Sequence, residues 1–173
     1  GLGSVTYGPG GGADEAAQTL SYKVTAIPAA SLGTVYLADG VTAVTANTSY
    51  TLAQIQGMKF TAAANANGSG TFTYTVQDSG GTANGGVDTL TQSIAITVNA
   101  VNDAPVLTAG TVANLTVNED SGTTSLGLGT VAYGPGGGTD EAAQTLTYKV
   151  TTIPAASLGT VYLADGVTAV VAN

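Results

Sequence analysis

The chain of 173 residues can bury a core in one ordinary domain or in two small ones, and 43% hydrophobic residues with 25 glycines describe a globular, turn-rich protein. Only 8% of residues are charged, 11 acids against Lys23, Lys59 and Lys149, so at a net charge of -8 the basic face that nucleic acid or an anionic membrane needs is missing. Cysteine and histidine are absent, which excludes disulfides, thiolate zinc sites and the Ser-His, Cys-His and His-metal constellations behind most hydrolytic chemistry.

The opening residues have neither the basic start nor the apolar middle of a signal peptide, so an export signal is expected to be encoded elsewhere. No apolar run approaches the roughly 18 to 20 residues of a membrane helix, and membrane insertion is not expected. "GPGGG" at Gly8 to Gly12 lacks the lysine and hydroxyl residue of a phosphate-binding loop and reads as a flexible connection. Asp14 and Glu15 follow it as neighbours on a loop, unable to flank a glycosidic bond from two sides.

"QTLSYKV" alternates Leu20, Tyr22 and Val24 with polar residues, which predicts a half-buried strand. Short strands are predicted at Thr34 to Ala38 and Val41 to Val44 across an Asp39-Gly40 turn. "YTLAQIQG" predicts a single helical turn, with Leu52 and Ile55 three apart. Met58 to Ala62 is a further strand, and "TFTYTVQ" and "SIAITVN" alternate Phe72, Tyr74, Val76 and Ile94, Ile96, Val98 with polar partners. Asn67-Gly68 and Asn84-Gly85 supply turns, and Val112 to Val117 is the last predicted strand. "DSGG" at Asp78 to Gly81 is a turn, since a serine nucleophile would need a histidine. About seven short antiparallel strands per period predict an all-β fold, a Greek-key β-sandwich.

Residues 1 to 47 return as residues 127 to 173 at an offset of 126, with 41 identities in 47 positions. The changes fall at Ser4, Thr6, Ala13, Ser21, Ala26 and Thr45. Such agreement predicts a tandem array. One full period plus 47 residues reads as a window on a longer array, with residues 1–101 a sandwich lacking its opening strand and 102–173 a junction followed by the front of the next repeat. In that phase residues 112 to 117 are expected to stay with residues 127 to 173, and the second copy to adopt the strands of the first with less stability.

At the join, "ITVNAVNDAPVL" closes one strand series and "LTVNEDSG" opens the next. With "TDEAAQTLTY" before an early strand and "NANGSGTFTYTVQDSGGTANGG" late in the unit, the whole chain resembles the cadherin-like, immunoglobulin-like tandem repeats of giant bacterial surface adhesins, many exported by type I secretion. The resemblance implies calcium at the inter-repeat junction, held by Glu119 with Asp120, by Asn102 and Asp103, by Asp140 and Glu141 with their copies Asp14 and Glu15, and by Asp78. Asn99 stands where the family has an acid, and the mid-domain acidic-Arg-Glu motif has no counterpart, so fewer ions than a cadherin junction holds are expected.

The residue types agree with that cation on their own account. Carboxylates, Asn side chains and carbonyls are the hard oxygen donors that calcium collects six to eight at a time. Pro105 fixes the backbone just after the acidic pair and is expected to hold those residues still while denying the next strand a premature start. The other reading of the same residues is an Asx turn before a proline, with the remaining acids solvated.

The function expected is a non-enzymatic spacer of an extracellular bacterial stalk, whose partners are neighbouring repeats or identical chains. Two alternatives stand beside it: a filament or sheath subunit interlocking by strand exchange, and a glycan-binding or self-binding adhesion module.

Overall fold

The computed structural model describes residues 2–173 and divides the chain into two compact units, Gly1–Val101 and Asn102–Asn173. The protein is all-β, its sheets antiparallel, with one short α-helix among the described residues. No helix of the described residues is long and apolar enough to cross a membrane.

In the first unit the alternating segments become strands where expected. β1 (Leu20–Ala26) turns Tyr22 and Val24 inward and Ser21 and Lys23 outward, and β5 (Gly68–Asp78) buries Phe72, Tyr74 and Val76. β1 lies between β3 (Thr48–Tyr50) and β5, and β5 pairs on its other side with β6 (Thr89–Val98), giving the order β3-β1-β5-β6. β2 (Gly33–Tyr36) pairs with β4 (Lys59–Ala62) in a second, two-stranded sheet. Residues of both sheets share one core of Tyr22, Val24, Val35, Val44, Ile55, Phe72, Tyr74 and Val76. Burying such side chains contributes roughly 1.5 to 3 kcal/mol each before entropy is charged against it. Burial and the hydroxyl of Tyr7 push the Tyr74 phenol above its usual range.

The single turn predicted near Leu52 is a helix, α1 (Leu52–Gly57). A capping box explains it: Gln54 N donates to Thr51 Oγ1 at 3.2 Å, and Thr51 N to Gln54 Oε1 at 2.8 Å. Ile55, fully buried, anchors the helix to the core. The strand β3 just ahead of it was not expected from the sequence, being only three residues long.

Two predicted strands are absent. Val41 to Val44 makes only a bridge, Ala43 to Tyr36, because the Asp39-Gly40 turn reverses the chain at once. The Asp39 carboxylate accepts from Val41 N, Thr42 N and Thr42 Oγ1, so its residues are spent on the turn. Val112 to Val117 has no partner strand either, and Leu115 and Val117 lie about half exposed. Instead β7 (Val106–Ala109) begins directly after Pro105 and pairs with β8 (Ala132–Gly134). Proline needs no ladder bond at the residue before a strand, so the strand begins directly after it, ahead of the Val112 start that was expected.

The second copy repeats the turns of the first and not its strands. Val44 N to Val35 O and Val170 N to Val161 O are both 2.8 Å, and Leu37 N to Thr42 O and Leu163 N to Thr168 O are both 2.9 Å. Yet residues 146 to 152, the counterpart of β1, join no strand ladder among the described residues, and Val150 O only accepts from Asn173 N at 2.9 Å. The expectation of equal local strands therefore fails at β1 and β2. A turn closes on itself, whereas a strand needs an edge to join.

The Asp39 turn and its copy at Asp165 give a measurement of that locality. Hydrogen bonds from Thr42 and Thr168 side chains, then from the backbone of the next residues, lower both carboxyl pKa values below the ordinary 3.8. A depressed folded value means that each turn's contribution is present above the unfolded pKa and lost as pH falls through the folded one. We expect carbon-13 NMR titration to place both midpoints below 3.8. A free value at Asp165 alone would show that the turn depends on packing the second copy lacks.

Candidate functional site

The acidic candidates separate by unit. Asp14, Glu15 and Asp78 belong to the first, and Asn102, Asp103, Glu119, Asp120, Asp140 and Glu141 to the second. Among the described residues no three acidic side chains gather as a metal group. Asp78 accepts from Gly80 N at 2.8 Å, an Asx turn that also lies beside β1 through its pairing with Leu20. Glu119 and Asp120 are exposed on a tight turn in which Ser121 N donates to Asn118 O, with Asp120 in the left-handed region at φ 61°. Asp140 is exposed.

Three of the predicted residues do come together. Glu141 is 1% exposed, and its Oε1 accepts the backbone N–H of Asp103. Its other oxygen, Oε2, is buried without a hydrogen-bond partner. Asn102 Nδ2 donates to Asp103 O at 2.9 Å, and Gln144 Nε2 donates to Asn102 Oδ1 at 2.9 Å. The join and the loop of the following acids are thereby tied side chain to backbone.

Two glycines make the approach possible. Gly136 and Gly137 have φ of 88° and 49°, a region open to glycine at little cost. A β-carbon on Gly136 would lie 2.2 Å from Ala104 O, and one on Gly137 would lie 2.5 Å from Glu141 Oε2 and 2.8 Å from Asp103 Oδ2. Two carboxylate oxygens thus face one small space over Gly137, with the Ala104 carbonyl against its neighbour. Like charges brought this close repel, and a cation between them would relieve that. The oxygens gathered here are all hard, the kind a calcium ion takes, and Asp103 and Glu141 are the residues that could hold one.

The first copy has the same loop without the join. Glu15 N donates to Gly12 O at 3.2 Å and Gln18 N to Glu15 O at 2.9 Å, matching Glu141 N to Gly138 O at 3.3 Å and Gln144 N to Glu141 O at 2.9 Å. Glu15 folds over Gly11 as Glu141 does over Gly137, yet it is only half-buried. The loop therefore forms locally, and Asn102 to Ala104 close it. Gly136, Gly137, Gln144 and the Ala104 carbonyl are not singled out by their residue types. Their signal was the "GPGGG" run standing at a fixed distance before Asp-Glu in both copies, which reads as a loop until the join is seen against it.

Comparison with protein families, with curated proteins and with solved structures finds no match for this chain.

Proposed function

We propose that the chain is a non-enzymatic spacer of a long, repetitive extracellular stalk on a bacterial surface, built of cadherin-like β-sandwich repeats and stiffened by calcium where repeats join. The observation that carries the reading is Glu141, a buried carboxylate with one oxygen unpaired, facing the Asp103 carboxylate at the residue where the join begins. A cation there would hold the join to the first loop of its repeat. The internal duplication supports the array, and uncharged threonine-rich outer strand positions suit a soluble surface with few lysines.

Extracellular modules bind calcium with dissociation constants on the order of 0.1 to 1 mM. At about ten times that constant one site adds RT ln(11), roughly 1.4 kcal/mol. That is small beside a domain stability of roughly 5 to 15 kcal/mol, so the ion acts on the bend and not on the fold. Small-angle scattering on a polypeptide of several complete repeats tests this. Chelation should shorten the particle and move the melting temperature by only a few degrees, roughly in line with that energy. A particle that keeps its full length in chelator would mean that packing alone stiffens the join.

A second reading, an interlocking filament subunit, is favoured by the apolar residues that the second copy leaves uncovered. It requires mass that rises with protein concentration, which light scattering reads directly.

A further inference from the structure

Glycine follows an aspartate or asparagine at Asp39-Gly40, Asn67-Gly68, Asn84-Gly85 and Asp165-Gly166. At such a step the glycine nitrogen can attack the side-chain carbonyl carbon of the residue before it, since glycine has no β-carbon to obstruct the five-membered ring. The reaction needs an uncharged electrophile, a free side chain and a backbone able to rotate. By sequence the two asparagines are equal, and the fold separates them.

The aspartates are the poorest electrophiles of the set. Hydrogen bonds from the two following residues hold each carboxylate, to Asp39 from Val41 and Thr42 and to Asp165 from Val167 and Thr168. Those bonds favour the ionised form, which resists attack. Asn67 is exposed, but Gly68 opens β5 and lies opposite Val98 in the ladder with β6. Turning the Gly68 nitrogen onto Asn67 would draw that residue out of its ladder. Asn84 has neither restraint. Residues 79 to 87, in the loop joining β5 to β6, are exposed throughout. The side-chain hydrogen bonds nearby belong to the ends of the loop, Gly80 N to Asp78 Oδ1 at 2.8 Å, Gln77 Nε2 to Asp88 Oδ2 at 2.9 Å and Thr89 Oγ1 to Asp88 Oδ1 at 2.8 Å, and none of them involves Asn84. Asn84 sits in the left-handed region, φ 55° and ψ 28°, within the one-turn 3-10 stretch Ala83–Gly85. Ring closure requires rotation about that ψ, which breaks only an exposed turn.

We propose that Asn84 is a site of spontaneous succinimide formation, through which this exposed hairpin loop gains a carboxylate. The Gly85 nitrogen, its proton lost to hydroxide, bonds to Asn84 Cγ. The Cγ–Nδ2 bond then breaks, and Nδ2 leaves as ammonia after taking a proton from water. A second water opens the ring at either carbonyl, giving aspartate or isoaspartate, the latter with an extra carbon in the backbone path. Water is the only co-reactant. The formal charge of -8 becomes one unit more negative. Beneath the loop Asp78 N donates to Asp88 O at 2.9 Å, and with the bond from Gln77 to Asp88 this ties the two strands together. The change therefore stays in the loop, and β5 and β6 keep their register.

The test is to hold the full chain at mildly alkaline pH, in buffer and in urea, and to follow the acidic species by isoelectric focusing and by mass spectrometry of its peptides. In urea Asn67 and Asn84 should react at similar rates. In the folded chain Asn84 should outpace Asn67 by about ten-fold or more, the cost of opening the ladder at Gly68. The rate at Asn84 should rise in proportion to hydroxide. Asn84→Gln, which would have to close a less favourable six-membered ring, should remove the first acidic species that the folded chain forms. Reaction of the folded chain at Asn67 as fast as at Asn84, or no reaction at Asn84 where urea allows it, overturns the proposal. So does a first acidic species that persists in Asn84→Gln.

Discussion

Tyr22→Ala should destabilise the first unit by about 3 to 5 kcal/mol, as truncation of a buried aromatic does, while Tyr148→Ala should cost less than about 1 kcal/mol. The two tyrosines stand in the same local sequence and keep the same aromatic neighbour. Tyr7 and Tyr22 have centroids 6.0 Å apart at 56°, and Tyr133 and Tyr148 6.1 Å apart at 55°. A tilted aromatic contact of this kind contributes at most about 0.5 to 1.5 kcal/mol when buried, and it is common to both. The remaining difference isolates burial between the sheets, which Tyr22 has and Tyr148 lacks. Urea titration with backbone amide signals assigned to each unit would measure the two losses independently. An equal loss at both positions would show that the face of the second copy is covered in solution.

Glu141→Gln and Glu141→Ala should act in opposite directions when calcium is absent. The glutamine keeps an oxygen for Asp103 N–H and offers the Asp103 carboxylate an amide donor in place of a like charge, so the second unit should be as stable as before or more so. The alanine leaves Asp103 N–H without its acceptor and opens a space over Gly137, a loss of about 1 to 3 kcal/mol. With calcium at about ten times its dissociation constant, the unaltered chain should gain roughly 1.4 kcal/mol and neither variant should gain it. Calorimetric titration with calcium and thermal melts in chelator and in calcium give both readings. If calcium binds the glutamine variant as well as it binds the parent, Glu141 is not a ligand, and its burial serves only to fasten the join.

Much of the first unit was legible in the sequence. The period-two alternation of β1, β5 and β6 reports one buried face and one wet face, and that pattern survives whatever the strands pair with. The three-residue β3 and the helix length were hidden, because a short strand carries no periodicity and a capping box is decided by whether Thr51 and Gln54 meet. In the candidate site the acids at Asp103 and Glu141 were legible as hard donors. Their selection from among nine candidates was not. It depended on Gly136 and Gly137 letting the loop approach Ala104, a contact across more than thirty positions of chain. Glu119, Asp120 and Asp140 have the same chemistry and remain on exposed turns, so composition could not rank them.

The duplication divides these causes within one molecule. By itself the sequence determined the repeat, the strand-forming alternation and the closed turns at Asp39 and Asp165, whose hydrogen bonds join residues two to three apart and so recur in both copies. Only the tertiary structure decided that Leu20–Ala26 is a strand and that residues 146 to 152 are not. The physical reason is that backbone groups in a strand are satisfied by another strand, here β3 and β5, and side chains such as Val24 and Val150 leave water only when a second layer covers them.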